Sequence, residues 1–93
     1  MKRCVVELFG LPREITELRE VEITLKGGVS LGAVIAALRR EIPALEGCVI
    51  RAGEDRLMGH YGFNINGHFY LDDGELQLQD GDHVLLLALA GGG

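Results

Sequence analysis

One segment of the chain carries the periodicity of a long helix, and it limits the folds open to the rest. Leu31, Ile35, Leu38 and Ile42 recur at i, i+4, i+7 and i+11, which lays one apolar stripe along a helix surface. Ser30 stands where an N-cap is needed, and Val29 and Val34 hold the two positions of a hydrophobic staple. Arg39 and Arg40 fall in the last turn, where positive charge is favoured. Pro43 then stops the helix. A single helix covers one face of a sheet, so the pattern predicts an α+β fold with the helix on one face and the other face open.

The remaining segments supply the strands. Cys4 to Phe9 is rich in β-formers and is broken by Gly10-Leu11-Pro12. Arg19 to Lys26 alternates, with Val21, Ile23 and Leu25 on one face and Glu20, Glu22, Thr24 and Lys26 on the other, until Gly27-Gly28 ends it. Residues 44 to 60 read as irregular, with a short strand expected at Cys48 to Arg51. Phe63-Asn64-Ile65 and His68-Phe69-Tyr70 flank Asn66-Gly67, the strongest short hairpin signal. Asp72-Asp73-Gly74 and Asp80-Gly81-Asp82 are expected turns, and Val84 to Leu89 is the last strand.

That last strand departs from simple alternation. Val84, Leu86 and Ala88 point one way and Leu85, Leu87 and Leu89 the other, yet all are apolar. Either the strand is buried on both faces, or its outer face is a contact surface. With one helix available, the contact surface is the expected reading, and Leu85, Leu87 and Leu89 are the candidate partner-binding residues. The opposite parity would expose Leu86 instead.

Directly after this strand the chain ends in Gly91-Gly92-Gly93. Glycines have no side chain to pack and lose the most backbone entropy on ordering. The expected organisation is a folded domain over residues 1–90 and a flexible arm over residues 91–93. Glycine also lets a backbone thread a narrow channel, and what such an arm offers an enzyme is its carboxylate. A frayed terminus is the plain alternative.

Composition excludes several functions. The net charge of −5 argues against nucleic acid, which needs a Lys/Arg surface, and against anionic membranes. It fits a partner with a basic docking face. Aromatics are 5% of the chain and Trp is absent, so little aromatic lining exists for a large cofactor, and none is expected to be bound. Cys4 and Cys48 are expected to be small buried hydrophobes. No secretory leader follows Met1-Lys2-Arg3, and the apolar run from Val84 to Ala90 is far short of a membrane span. A cytoplasmic protein is the expectation.

No catalytic constellation stands out. His60, His68 and His83 share no metal-ligand spacing with each other or with the cysteines, so no metal is expected. Asp72, Asp73, Glu75, Asp80 and Asp82 lack the spacing of a calcium loop. Gly27-Gly28 is not followed by the Gly-Lys-Ser/Thr of a phosphate loop. Ser30 is more simply a helix cap than a nucleophile. The chain is expected not to be an enzyme itself.

Taken in order, the segments resemble the ThiS/MoaD-type sulfur carriers, relatives of ubiquitin with a β-grasp fold. Leu8-Phe9-Gly10-Leu11-Pro12-Arg13-Glu14 is similar to the family's first strand and the Leu-Arg-Glu turn after it, with Pro12 intervening here. Val29 to Leu38, then Pro43, resembles its helix. Asn64-Ile65-Asn66-Gly67, then Leu78 to Val84, then the terminal glycines, resembles its C-terminal half. The resemblance implies a mixed sheet of four to five strands with the helix over Leu31–Ile42 on one face. The first and last strands should be adjacent, parallel and central.

It also implies a use for the tail. An adenylating enzyme of the ubiquitin-activating type attaches AMP to the terminal carboxylate. Sulfide from a persulfide then displaces AMP and leaves a thiocarboxylate. By resemblance the acyl group sits on Gly93, with Gly92 and Gly91 in the channel. ATP is used by the activating partner rather than held by this chain. A sulfur-accepting biosynthetic enzyme or a larger synthase subunit is the other implied partner, for molybdopterin, thiamine, cysteine or another thio-metabolite. The chain departs from the family where Leu87 to Ala90 replaces a usual Pro-Pro, where three glycines replace two, and where His83 replaces a Glu. Two other functions share the residues: a ubiquitin-like modifier joined to lysines, and a β-grasp interaction module that conjugates to nothing.

Overall fold

The computed structural model describes residues 2–25, 30–70, 74–79 and 82–88, with Lys2 described by its backbone only. Five strands are formed: β1 (Lys2–Leu8), β2 (Glu20–Leu25), β3 (Tyr61–Ile65), β4 (His68–Tyr70) and β5 (Val84–Ala88). They make one sheet in the order β2-β1-β5-β3-β4. β5 lies parallel to β1, with Val6 beside Val84 and Leu8 beside Leu86. The other neighbours are antiparallel. The first and last strands are therefore adjacent, parallel and central, as expected.

The predicted helix is α2 (Leu31–Glu41). Ser30 caps it, its Oγ accepting from Ala33 N at 3.1 Å. Two further donors of the first turn are met by the 74–79 segment, since Leu31 N bonds Leu76 O and Gly32 N bonds Gly74 O. A Cβ on Gly32 would stand 3.1 Å from that Gly74 oxygen, so a glycine lets the segment lie this close. The expected staple residue Val29 lies outside the described residues. Ile42 is the C-cap rather than the last helical residue, because Pro43 disfavours the helical region for the residue before it.

Leu31, Val34, Ile35, Ala37 and Leu38 of α2 are buried on one sheet face. They meet Val6 and Leu8, Ile23 and Leu25, Phe63 and Ile65, and Val84 and Leu86. Each fully buried aliphatic or Phe side chain is worth about 1.5–3 kcal/mol of transfer free energy. This layer fixes which parity of every strand faces outward.

Three local expectations are corrected. Gly10-Leu11-Pro12 does more than break β1: it opens a short helix, α1 (Leu11–Thr16), with Pro12 in the first turn, where its missing N–H costs nothing. Gly10 enters at φ 72 and Glu17 closes it in the left-handed region. Cys48 to Arg51 forms no strand. A 3-10 turn (Pro43–Leu45) leads into turns joined by isolated bridges of Ile50 with Glu46 and Leu57. Val49 N and Ile50 N both bond Leu45 O, a tight turn that sends Leu45, Val49 and Ile50 inward. That turn leaves Cys48 exposed, contrary to expectation, whereas Cys4 is buried; both thiols are free.

The hairpin follows the sequence signal closely. Asn66 has φ 53 and Gly67 φ 92, the two left-handed residues of a type I′ turn.

Candidate partner-docking face

With the helix face assigned, the opposite face of the sheet can be read row by row. Glu20, Glu7, Leu85, Asn64 and Phe69 stand side by side across β2, β1, β5, β3 and β4. In the next row Leu87 lies beside Gly62, whose missing side chain leaves space next to it. Phe9 extends this row beyond β1, its N–H bonding Leu86 O at 3.0 Å. Val84 and Leu86 are buried under α2, while Leu85 and Leu87 are half-buried on the open face.

Leu85 and Leu87 share this face with larger exposed groups. Phe69 is 60% exposed, Phe9 58% and Val5 41%. Apolar side chains from β1, β4 and β5 therefore share a face that no element among the described residues covers. Isolated exposed apolar residues are ordinary, and several on one open face make it a candidate contact surface. The rim is polar. His83 Nε2 lies 2.9 Å from Glu7 Oε1, and a depression beside Phe9 and Leu85 is lined by Arg13, Arg19 and Glu20.

The entrance to β5 is held by side chains. Asn66 Oδ1 accepts from His83 N at 2.9 Å, and Asn66 Nδ2 donates to Asp82 Oδ1 at 3.0 Å. Asp82 Oδ2 accepts from Gln79 N at 2.8 Å. The Gln79 amide first, and the Asn66 amide second, hold the Asp82 carboxyl below the usual carboxylate range. Burial, and to a lesser degree the Asp82 charge, push the Cys4 thiol up.

Of the residues singled out in the sequence, Leu85 and Leu87 stand together on the open face. Leu89 and Gly91, Gly92 and Gly93 lie outside the described residues. Because β1 and β5 run parallel, Ala88 sits at the same end of the sheet as Phe9 and α1. Phe9, Val5 and Phe69 were not singled out as contact residues. The Asn-Gly turn was the available signal for Phe69, since a two-residue loop sets it opposite Asn64 on the outer face. Among the described residues no three His, Cys, Asp or Glu side chains gather as a metal site.

A mixed sheet in the order β2-β1-β5-β3-β4, with its first and last strands parallel and adjacent at the centre and one main helix on one face, is the ubiquitin-like β-grasp fold. Within it, the chain belongs to the ThiS family, whose sequence model matches residues 6–93. The structure is similar to small archaeal modifier protein 1 (SAMP1) of Haloferax volcanii, at 27% identity and TM-score 0.79, covering 99% of this chain and 100% of that one. It is similar to small archaeal modifier protein 1 of Methanosarcina acetivorans at 26% identity and TM-score 0.76, covering 98% and 96%. It shares its fold with a chain of the BexX/CysO complex of Amycolatopsis orientalis, at 18% identity and TM-score 0.68, covering 96% and 98%. No curated protein sequence matches the chain significantly.

Proposed function

We propose that this chain is a sulfur carrier whose Gly93 carboxylate is adenylated by a ubiquitin-activating-type enzyme and converted to a thiocarboxylate. A carboxylate is a poor acyl donor until it gains a good leaving group, and AMP is one. The carboxylate attacks the α-phosphorus of ATP and releases pyrophosphate. The terminal sulfur of an enzyme persulfide then displaces AMP at an acyl carbon that glycine leaves unhindered, giving an acyl disulfide. A second thiol cleaves its S–S bond, forming a new disulfide and freeing the thiocarboxylate. ATP belongs to the partner, and this chain is a co-substrate rather than a catalyst. The thiocarboxylate sulfur passes to a biosynthetic enzyme, for molybdopterin, thiamine, cysteine or another thio-metabolite.

One observation supports this reading above others. A ThiS-family chain places Leu85, Leu87 and Phe9 on an open face at the end of the sheet where its central strand finishes, shortly before a glycine-ended sequence. An enzyme gripping that face is well placed to receive the tail. Leu89 and Gly91 to Gly93 are proposed to enter the partner together.

A second reading is favoured by the similarity to two small archaeal modifier proteins over nearly their whole lengths. In it the same activated tail is joined to lysines of other proteins. Intact-mass analysis of protein purified from its host separates the two. A carrier shows one terminal oxygen replaced by sulfur, and a modifier is found on other proteins. Neither species, together with no AMP transfer from any adenylating enzyme of the host, would leave only an interaction module.

A further inference from the structure

The two edges of the sheet are unlike. β4 is three residues long, and shortness is one way that proteins blunt an edge. β2 is six residues long and pairs with β1 without a break in register from Glu20 to Leu25. It has no proline, no bulge and no charge pointing inward, because Val21, Ile23 and Leu25 form the helix-side parity. Of the usual protections only charge is present among the described residues, on the outward Glu20 and Glu22.

One hydrogen bond sets the phase of this edge. Leu8 N donates to Arg19 O at 2.8 Å, which makes Leu8 and Arg19 a hydrogen-bonded pair of the antiparallel ladder. By alternation Val6–Val21, Cys4–Ile23 and Lys2–Leu25 are hydrogen-bonded pairs too. Val21, Ile23 and Leu25 thus turn both backbone groups toward β1. Glu20, Glu22 and Thr24 turn theirs to the free side, where no bond from them is formed among the described residues. Only an extended chain matches such an alternating row of N–H and C=O groups.

At the Thr24–Leu25 end of the edge lies a groove of about 520 Å³ between β2 and α2. Thr24 and Leu25 form one wall and Ala33, Ala36 and Ala37 the other, with Arg40 and Glu41 from the last helical turn. A side chain of an added strand that lies opposite this end of β2 would project toward the groove, and the side chains of the other parity would stand on the outer face beside Glu20 and Glu22. Glu22 has one loose ionic neighbour, Arg3 at 3.8 Å, and Glu20 has none among the described residues. Opposite charges are favoured directly across strands, and like charges are disfavoured. A second copy of β2 is excluded on that ground. Antiparallel pairing over most of the strand sets Glu22 against Glu22, in a chain of net charge −5.

We propose that the β2 edge takes up an extended segment of another protein in which basic and apolar residues alternate. The segment adds a sixth strand, its basic side chains against Glu20 and Glu22 and an apolar side chain beside Leu25 in the alanine-walled groove.

The probe is a short capped peptide alternating Lys and Val, added to the full-length chain at low salt. Two controls accompany it: Glu in place of each Lys, and the same composition in block order. The alternating Lys–Val peptide should bind and slow amide exchange at Glu20, Glu22 and Thr24. The E20K/E22K double variant should weaken it by about tenfold and gain affinity for the Glu–Val peptide. Ala36→Leu, which fills the groove with a good helix former, should weaken binding of the Lys–Val peptide to an unaltered β2. Equal binding of the block and alternating peptides, unchanged exchange at the three amides, no binding at millimolar peptide, or binding that maps to Leu85 and Leu87 each overturns the proposal.

Discussion

Asn66 and Asp82, sixteen residues apart, are joined side chain to side chain at 3.0 Å, and through this bond the hairpin turn holds the start of the last strand. Asn66 also occupies φ 53, a conformation that few L-residues tolerate. Asn66→Ala loses both the backbone fit and the bonds to Asp82 and to His83 N, and should destabilise the fold by about 1–3 kcal/mol. Asn66→Gly keeps the fit and loses only the bonds, so its cost should be smaller. Urea denaturation of the two variants checks the order.

The same pair makes stability depend on pH. Asp82 is held below the usual carboxylate range in the folded chain, mainly by Gln79 N–H and then by Asn66. Its contribution is therefore fully present above the ordinary carboxylate value, roughly pH 4. It is lost as pH falls through the lower folded value. Asp82→Asn removes the titration. Unfolding midpoints of the parent and D82N should differ most near neutrality and converge as the solution is acidified.

The two faces of β5 should respond oppositely to substitution. Leu86 is fully buried beneath α2, so Leu86→Ala should cost about 2–5 kcal/mol. Leu87 is half-buried beside Gly62 on the open face. Leu87→Asp should cost about 1 kcal/mol and abolish docking to the adenylating partner. Thermal denaturation paired with a pull-down by that partner separates the effects. If L87D unfolds the chain as readily as L86A, the outer face is structural and the docking assignment fails.

The two thiols offer a test of the least regular region. Cys48 is exposed outside the turn made by Leu45, Val49 and Ile50, and Cys4 is buried with its thiol pushed up by burial. Reactivity follows the exposed thiolate. A maleimide added to the native chain should mark Cys48 within the dead time of manual mixing and mark Cys4 only on unfolding. Peptide mapping after a short pulse distinguishes them.

How much of this was legible in the sequence varies with the range of the interaction. Ser30, Pro43 and Asn66-Gly67 act within a few residues, so the helix start, its end and the hairpin could be read directly. α1 was hidden because Pro12 is as much a helix-opening residue as a breaker, and the choice depends on Gly10 turning the chain at φ 72. Cys48 is exposed despite its apolar neighbours, which say nothing about which way a tight turn presents a side chain. The outer parity of β5 became definite only once α2 was placed. Phe9 and Phe69 joined Leu85 and Leu87 through strand order, which is long-range information that no local pattern carries. Leu89 and Gly91 to Gly93 lie outside the described residues, so their role rests on chemistry and on experiment.

The tail supplies the sharpest test of the proposed function. Val84 to Ala88 completes the sheet, and the core contacts described here end with that strand. Removing Gly92 and Gly93 should therefore leave the unfolding free energy within about 0.5 kcal/mol of the parent. Docking through Phe9, Leu85 and Leu87 should also survive. AMP transfer should not, because the carboxylate then ends about two residues short, up to roughly 7 Å from its place beside ATP. Adding one bulky residue after Gly93 should block transfer in the same way, since its side chain must pass where glycine has none. The measurement is transfer of labelled AMP from ATP by the cognate adenylating enzyme, with docking followed separately by titration. Loss of transfer with intact docking supports the assignment of Gly93 as the acyl donor. Equal transfer to full-length and truncated chains would remove both the carrier and the modifier readings at once.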